Sequence, residues 1–349
     1  MSFQPLKRFR FAHFISAHYM SEHSQTDQAK QDLAQSDLSA LDADLSSKLY
    51  QELGQQLHKS PLYARRLFHG RGKAFKGLEH LNIEWYPPYL FVQNFAATLS
   101  ETETRTLEKL FANESTIQTI LVQTREWPDF ITSVLCTRQP VTLPVSHWTA
   151  LNNEIMCETN LGKNRNTGLF LDMRAGWDWV QHNANDCSVL NLFSYTGVFS
   201  LFALQGGAKK VDNVDMAANV LKIAQRNHQK NSLHDGKTAF YKRDILKSGR
   251  WFEHREPYDL IIIDPPPYQK KAFRGWSDYQ KLLQTCRDAL ANNGRLFTCL
   301  NNPQVSVQEF ITDLHRLFPD AKTMTHIERA PEIHEFDNNK GLKTVVVQF

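Results

Sequence analysis

The chain has 349 residues, of which 41% are hydrophobic and 22% are charged, with 40 Lys and Arg against 37 Asp and Glu. This is the composition of an ordinary globular protein, and it excludes wholesale disorder and fibrous repeats. No window approaches the ~18 consecutive apolar residues of a membrane helix, and the N-terminal sequence lacks the apolar core of a signal peptide. The five cysteines lie far apart without a CxxC pair, so we expect a reducing, cytoplasmic environment.

Residues 1–83 are predicted to form a segment that is first helical and then basic. Leucines repeat over residues 38–53 at a spacing that predicts one apolar face of a helix. Residues 55–78 contain six Lys or Arg and no acid, interleaved with aromatic side chains. This basic stretch is either a solvated loop beside an acidic helix or a phosphate-binding surface with aromatic stacking platforms.

Residues 84–174 show a different pattern. Short β-rich runs, the last of them TGLFLD at 167–172, are separated by Pro, Asn or charged clusters. Such runs are typical of an antiparallel meander, and a helix near residues 101–112 is predicted to interrupt it. We therefore expect a small α+β module.

From Ser188 onwards, apolar strand-like runs alternate with amphipathic helical patterns such as residues 217–230 and 278–291. Apolar strands separated by helices are typical of βαβ units, whose parallel sheet is buried on both faces. Residues 175–349 are therefore predicted to form a Rossmann-like α/β domain. The candidate strands are SVLNLF, KKVDNVD, KTAFY, YDLIIID, GRLFTCL, a run near 322–328, and TVVVQF.

Three acids follow successive candidate strands of this domain, namely Asp215, Asp244 and Asp264. In open α/β sheets, ligands bind beyond the carboxyl ends of the strands. Asp215 closes the second strand, where a Rossmann-type fold grips ribose hydroxyls. It is also well placed to cap the next helix, and one aspartate can do both.

The turn after the first strand, NLFSYTG at 191–197, decides the class of cofactor. It lacks the G-x-G-x-x-G fingerprint that lets a pyrophosphate approach the backbone. The sequence therefore disfavours a nicotinamide dinucleotide and leaves S-adenosylmethionine as the leading candidate.

The run DPPPY at 264–268 is the most specific local signal. Consecutive prolines after a buried strand stiffen the backbone. They also leave carbonyl groups that have no hydrogen-bond partner in the sheet and are available to a ligand. A rigid turn of this kind can hold a planar base against a methyl donor, although it can also simply end a loop.

These motifs resemble those of class I methyltransferases and, among them, the 23S ribosomal RNA large-subunit methyltransferases of the Rlm type. The resemblance covers residues 84–349 and is strongest over 163–302. It rests on TGLFLDMR (167–174), NLFSYTG (191–197), the VD at 214–215, AQRN (224–227), the acid at 244 and DPPPY (264–268).

The resemblance implies a role for each matching position. The methionine part of S-adenosylmethionine would be wrapped by Phe193, Ser194, Tyr195, Thr196 and Gly197. The adenosine would be held by Asp215 at the ribose, Met216 near the adenine and Asp244 at the adenine amino group. Asp172 and Arg174 would lie on a hairpin before the Rossmann-like domain and close over the carboxylate end of the cofactor. Alternatively, these two residues form a purely structural pair. Asp264 and Pro265 would lie at the sulfonium and the target atom.

The segment after the fifth strand departs from the 5-methylcytosine members of that family. Those members carry a cysteine nucleophile where this chain has Asn301, and Cys299 falls two residues short, as a buried strand cysteine. The Asn-Asn pair resembles members that methylate a purine ring nitrogen, whose lone pair attacks the methyl group directly. Base orientation is therefore assigned to Asp264, Pro265, Pro266 and Asn301.

The N-terminal segment departs from the family as well, because it does not resemble the barrel-like RNA-binding module of the carbon-methylating members. RNA binding is therefore assigned, as a hypothesis, to five basic side chains: Arg65, Arg66, Arg71, Lys73 and Lys76. The histidines show no ligand spacing, so no catalytic metal is expected.

The sequence thus predicts an S-adenosylmethionine-dependent methyltransferase that acts on structured, ribosomal RNA. A methyltransferase of proteins or small molecules remains an alternative, and so does a non-catalytic RNA-binding factor that keeps the fold. A nicotinamide oxidoreductase is disfavoured by the missing glycines.

Overall fold

The structure is a computed structural model that describes residues 43–349, except 60–61, 127, 234–235, 256 and 267–274. The first part of the predicted leucine face and two residues of the proline turn, Pro267 and Tyr268, lie outside the described residues. Helix α1 spans residues 43–59 and buries Leu49 and Leu53.

A five-stranded sheet comes first, in the order β1-β2-β3-β4-β5. Its elements are β1 (Arg65–His69), β2 (Leu81–Tyr86), β3 (Tyr89–Asn94), α2 (Glu101–Asn113), β4 (Thr119–Thr124) and β5 (Ile131–Thr137). Ser100 and Glu103 form a capping box at the start of α2. Because α2 carries the chain back across the sheet, β3 and β4 are parallel, whereas the other neighbours are antiparallel. The predicted all-antiparallel meander is wrong at that pair.

The predicted boundary between residues 83 and 84 is also wrong, because it falls inside β2. β1 and β2 belong to the same sheet as β3, so much of the basic stretch is part of the α+β module. The reason is burial: Leu67 and Phe68 on β1 and Ile83 and Trp85 on β2 join the core under this sheet. Glycines and charges around these short strands hide their apolar pattern in the sequence.

A hairpin of β6 (Val145–Ala150) and β7 (Met156–Leu161) leads to the second domain. The TGLFLD run that follows is not a strand. Gly168 has a φ of 105°, and Leu171–Met173 form a single 3-10 turn that leads into α3 (Arg174–Asn183). Asp172 and Arg174 therefore lie on this turn and at the start of α3, and not on a hairpin as predicted.

The second sheet has seven strands in the order β10-β9-β8-β11-β12-β14-β13. The strands are β8 (Ser188–Leu192), β9 (Lys210–Asp215), β10 (Thr238–Lys242), β11 (Tyr258–Ile263), β12 (Leu290–Leu300), β13 (Thr323–His326) and β14 (Lys343–Gln348). The helices between them are α4 (Val198–Gln205), α5 (Ala218–Lys230), α6 (Gly249–Glu253), α7 (Trp276–Asp288) and α8 (Val307–Leu317). The first five strands are mutually parallel and β14 runs antiparallel to both neighbours.

Burial on both faces explains the continuous apolar strands of this sheet. Alternate residues of β11 face opposite cores, with Leu260 and Ile262 in one cluster and Ile261 and Ile263 in the other. None of the helices in the described part of the chain is long and apolar enough to cross a membrane.

The direction of strand addition reverses at β8, which lies between β9 and β11. The carboxyl ends of these three strands therefore lie side by side at one edge of the sheet. This is the switch point at which open α/β sheets bind ligands.

Candidate functional site

The turn after β8 is an unusual backbone structure at the switch point. Phe193 and Tyr195 have positive φ angles of 56° and 47°, and Gly197, at 81°, precedes α4. A side chain at Gly197 would lie 3.0 Å from Ala224 and from His228, because α5 packs directly against the turn. The turn therefore curls tightly and brings its backbone to the ligand edge of the sheet.

Ser194 gives a test of whether a cofactor fits this turn. Its Oγ is buried and has no hydrogen-bond partner among the described residues. A buried hydroxyl without a partner is costly, so such groups commonly serve a ligand. The residues at the turn thus fit a cofactor that carries polar groups.

Asp215 and Tyr195, both predicted cofactor residues, lie in contact. Asp215 accepts hydrogen bonds from the backbone N–H of Tyr195 at 3.0 Å and of Ala217 at 2.9 Å. A carboxylate has about four acceptor positions, so Asp215 can fix the turn and still accept hydroxyl groups of a ribose. The alternative role of Asp215, capping the next helix, is supported in part, because Asp215 accepts from Ala217, the residue directly before α5.

Asp244 and Met216 border the same edge. Lys242 on β10 pairs with Asp215 on β9, so Asp244 lies just beyond the end of β10. Its carboxylate is 3.0 Å from Lys247. Met216 is 45% exposed, which leaves its side chain available to pack on a planar ring.

Two other predicted cofactor residues are engaged elsewhere. Thr196 is buried and donates to the carbonyl of Gly168 at 2.7 Å, so its hydroxyl holds the 167–170 loop. Arg174 donates to the Leu151 carbonyl and to Asp178, and it does not pair with Asp172. The structural pair considered as an alternative is therefore absent, and Arg174 is tied to the hairpin end and to its own helix.

Asp264 follows β11 and lies opposite the end of β12. Burial, followed by the charge of Asp172, raises the pKa of Asp264 to about 7, while a hydrogen bond from the Cys299 thiol partly opposes this rise. A carboxyl group with this pKa can accept or release a proton near neutral pH. Sequence reasoning found Asp264 but not its perturbed proton affinity, which depends on its neighbours in space.

Cys299 is fully buried, as the sequence predicted. Burial, reinforced by the nearby Asp264 carboxylate, raises its pKa well above the ordinary value. The Tyr279 hydroxyl donates to the Cys299 carbonyl at 2.9 Å and holds the strand end. A buried thiol of high pKa is a poor nucleophile, because the thiolate is the reactive form.

Asn301 is exposed at a point where two cavities meet. The smaller cavity, about 250 Å³, is also lined by Pro265, Pro266 and Trp276. The larger one, about 520 Å³, lies between the two sheets and includes Asp172. The predicted base-orienting residues are therefore brought together around Asn301, with Asp264 next to Pro265 in the chain.

The structure divides the five predicted RNA-binding side chains. Arg66 is buried and pairs with Glu84 at 2.7 Å, and it lies 3.6 Å from Asp172. Arg65 pairs with Glu332 at 3.2 Å. The surface role predicted for Arg66 is wrong, because the β1 alternation turns it inward to a carboxylate on β2.

Arg71, Lys73 and Lys76 are exposed, and the first two line the larger cavity. Sequence reasoning missed two residues beside them, Phe95 and Arg125. Each directly follows a strand, which is the signal that could have found them. Among the described residues, no group of His, Cys, Asp and Glu could hold a metal ion.

A parallel sheet with one antiparallel strand near its edge and a polar turn at the switch point defines a Rossmann-like methyltransferase domain. Residues 65–348 match the model of the S-adenosylmethionine-dependent methyltransferase family, so the chain belongs to that family. The predicted enzyme class, fold class and cofactor are thereby confirmed.

Two curated relatives show similarity over part of the chain. Ribosomal RNA large subunit methyltransferase K/L of Pseudoalteromonas translucida is 40% identical over 145 residues, which are 40% of this chain and 20% of that protein. Ribosomal RNA large subunit methyltransferase I of Alteromonas mediterranea is 34% identical over 164 residues, which are 45% of this chain and 40% of that protein. The chain therefore spans less than half the length of either relative.

Among solved structures, that of the methyltransferase SMU.776 in complex with SAH is similar over 88% of this chain and 82% of that chain. The TM-score is 0.75 and the sequence identity is 21%. At this identity, the likeness concerns the fold alone.

Proposed function

We propose that this protein transfers the methyl group of S-adenosylmethionine to a ring nitrogen of an RNA base, with ribosomal RNA as the substrate. The names of the two curated relatives support an RNA substrate. All five cysteines are free thiols, in keeping with the proposed cytoplasmic location.

The observation that carries the proposal is the surrounding of Asn301. An exposed amide and two rigid prolines line the smaller cavity, and Asp264, with its near-neutral pKa, directly precedes these prolines in the chain. Cys299 lines the same cavity, but its side chain is buried and its pKa is raised well above the ordinary value. Methylation of a pyrimidine carbon needs a nucleophile that adds to the ring. A ring nitrogen needs none, because its lone pair attacks the methyl carbon directly and alignment supplies most of the catalysis.

The chemistry assigned to the chain's own residues follows from this arrangement. S-adenosylmethionine supplies, when bound, a methyl group on a positively charged sulfur. The turn at Ser194 and the Asp215 carboxylate would hold it, while Pro265 and Pro266 align the base. Asn301 hydrogen-bonds the base edge, and the Asp264 carboxylate accepts a proton where the methylated nitrogen carried one.

A transfer assay tests the proposal. Tritiated methyl groups are followed from S-adenosylmethionine into RNA from a strain that lacks this gene, with and without ribonuclease. We expect label that ribonuclease removes and that is absent for Asp264→Ala. Label that survives ribonuclease would identify a protein or small-molecule methyltransferase instead. RNA binding without transfer would identify a non-catalytic RNA-binding factor.

A further inference from the structure

The larger cavity holds cations that form no ion pair with an acid among the described residues. Each of its carboxylates has a cationic or histidine partner within 4 Å: Glu84 and Asp172 with Arg66, Glu335 with His69, and Asp337 with Lys340. Among the residues that the structure describes, Arg71, Lys73 and Arg125 have no such carboxylate partner. Convergent positive charges without partners repel one another, and an anionic ligand relieves that repulsion.

Arg71 is presented by a turn that is wedged between the two domains. A Cβ at Gly70 would lie 2.0 Å from the carbonyl oxygen of Leu78, and one at Gly72 would lie 2.0 Å from that of His334. Only glycine fits at either position, so Arg71 is the one side chain that the turn projects into the cavity. The backbone that carries Arg71 is therefore packed tightly before any ligand binds, which lowers the entropy cost of binding.

Arg125 reaches the same point from another strand. β1, β3 and β4 run in the same direction, so Arg71, Phe95 and Arg125, which follow them, lie along one edge of the first sheet. Both guanidinium groups lie over the Phe95 ring, at 4.1 Å for Arg71 and 5.2 Å for Arg125. Gln123 orients Arg125 further, accepting from its Nε at 2.7 Å.

We propose that Arg71 and Arg125, held over Phe95, bind a phosphodiester group of the RNA strand that carries the target base. Planar guanidinium groups recognise phosphate oxygens through paired hydrogen bonds. Burial lowers the pKa of Arg125 to about 10, although the charge of Glu84 opposes this, and partial burial together with the charge of Arg66 lowers the pKa of Arg71. An anion bound beside these side chains would offset their lost hydration.

The far side of the cavity connects this subsite to the reaction. The cavity extends to Asn301 and Asp172, and its volume of about 520 Å³ is in the range of sites for nucleotide-sized ligands. Phe170 and Phe336 also line it and are 45% and 83% exposed. Exposed aromatic rings of this kind stack on unpaired bases. The strand would thus enter at the two arginines and place its base towards Asn301.

This inference rests on the proposed function, and RNA-binding measurements test it separately. The affinity of the full chain for a short poly(U) oligoribonucleotide is measured by fluorescence anisotropy against salt concentration. We expect about tenfold weaker binding for Arg71→Gln and for Arg125→Gln. The double variant should reduce the slope of log affinity against log salt by ~0.7 for each phosphate that it no longer neutralises.

The matched control is Arg105→Gln, which removes the same charge from an exposed, helix-paired arginine on α2. It should leave both affinity and slope near the wild-type values. S-adenosylmethionine binding, followed by calorimetry, should be unchanged in all variants. A double variant with wild-type affinity and slope would overturn the inference while leaving RNA methylation intact, and a wild-type protein that binds no RNA would overturn it as well. Label transferred only to a ribonuclease-resistant substrate would contradict the RNA-methylation proposal itself.

Discussion

The thiol of Cys299 lies beside the carboxylate of Asp264 at the ends of two parallel strands, and 3.9 Å from the Thr344 hydroxyl. Ile263 pairs with Thr298 in the β11–β12 ladder, so the next residue on each strand, Asp264 and Cys299, meets at the ligand edge. The thiol stabilises the charged carboxylate and is itself held in the protonated form. Cys299 therefore lowers the pKa of Asp264, and it is not suited to attack a base as a nucleophile.

Substitution of Cys299 by Ala should keep methyl transfer within about tenfold of the wild-type rate, because no covalent step uses the thiol. Loss of the hydrogen bond should raise the pKa of Asp264 and move the pH profile of kcat/KM to higher pH. Steady-state transfer assays across pH measure both effects. Cys286→Ala removes another buried thiol and should leave the profile in place. A loss of about a thousandfold or more in Cys299→Ala alone would show a nucleophilic role.

The activity of the wild-type protein should rise with pH through about 7. The free-enzyme pKa of Asp264 is about 7, and its charged form is the one that accepts a proton. Because kcat/KM reports the pKa values of the free enzyme, this rise should appear as the acidic limb of the pH profile of kcat/KM. Asp264→Asn should lose at least about a hundredfold of the rate and the limb with it. A limb that persists in this variant would belong to another group.

Stability measurements separate this loss from unfolding. The native pKa of Asp264 lies above its ordinary value of 3.8, so its contribution to stability is fully present below pH 3.8 and is lost as pH rises to about 7. At pH 8, Asp264→Asn should therefore unfold with a free energy higher than wild type, by on the order of 2 kcal/mol. A destabilised variant at that pH would contradict the assigned burial.

Ser194→Ala should weaken S-adenosylmethionine binding by about tenfold without destabilising the protein. The Ser194 Oγ is buried and has no partner among the described residues, so only a ligand gains from it. Calorimetric titration gives the affinity and thermal unfolding gives the stability. Ser200→Ala is the contrasting control, because the Ser200 hydroxyl bonds to His228 at 2.8 Å inside the fold. That variant should lose stability and keep its affinity, and the reverse pattern would place the cofactor elsewhere.

Arg66→Met should lower the free energy of unfolding by ~3–5 kcal/mol, because it leaves the buried Glu84 carboxylate without its cation. Glu84 also accepts hydrogen bonds from Tyr86 at 2.7 Å and from Gln93 at 2.9 Å, so an unpaired Glu84 carboxylate also affects these two neighbours on β2 and β3. Denaturant unfolding of Arg66→Met and of Arg66→Met/Glu84→Gln checks this. The double variant should recover part of the loss. A stable Arg66→Met protein with weaker RNA binding would restore the surface role.

Local pattern was enough for the second domain but not for the first. Strands β11 and β14 contain continuous apolar runs, and the acids at the ends of the parallel strands, such as Asp215 and Asp264, lie at one edge because parallel strands end together. Arg66 and Arg71 look alike in the sequence and both line the larger cavity, yet the first is buried and paired with a carboxylate on β2, whereas the second is exposed and has no carboxylate partner among the described residues. That difference depends on strand register and on a partner distant in sequence, and composition carries neither.

The pKa of Asp264 and the pairing of Arg125 with Phe95 could not be predicted for the same reason. The pKa of Asp264 is raised by burial and by the charge of Asp172, with Cys299 opposing the rise, and Arg125 meets Phe95 and Arg71 only where the ends of separate strands come together. Sequence identifies the residues that end each strand, and the fold decides which of them become neighbours.

The most direct test of direct transfer to nitrogen is the identity of the methylated nucleoside. RNA from a strain that lacks this gene is treated with wild-type protein or with Cys299→Ala and with S-adenosylmethionine, then digested to nucleosides and analysed by mass spectrometry against standards. We expect both proteins to yield the same purine methylated on a ring nitrogen. A 5-methylpyrimidine product that disappears with Cys299→Ala would contradict the account.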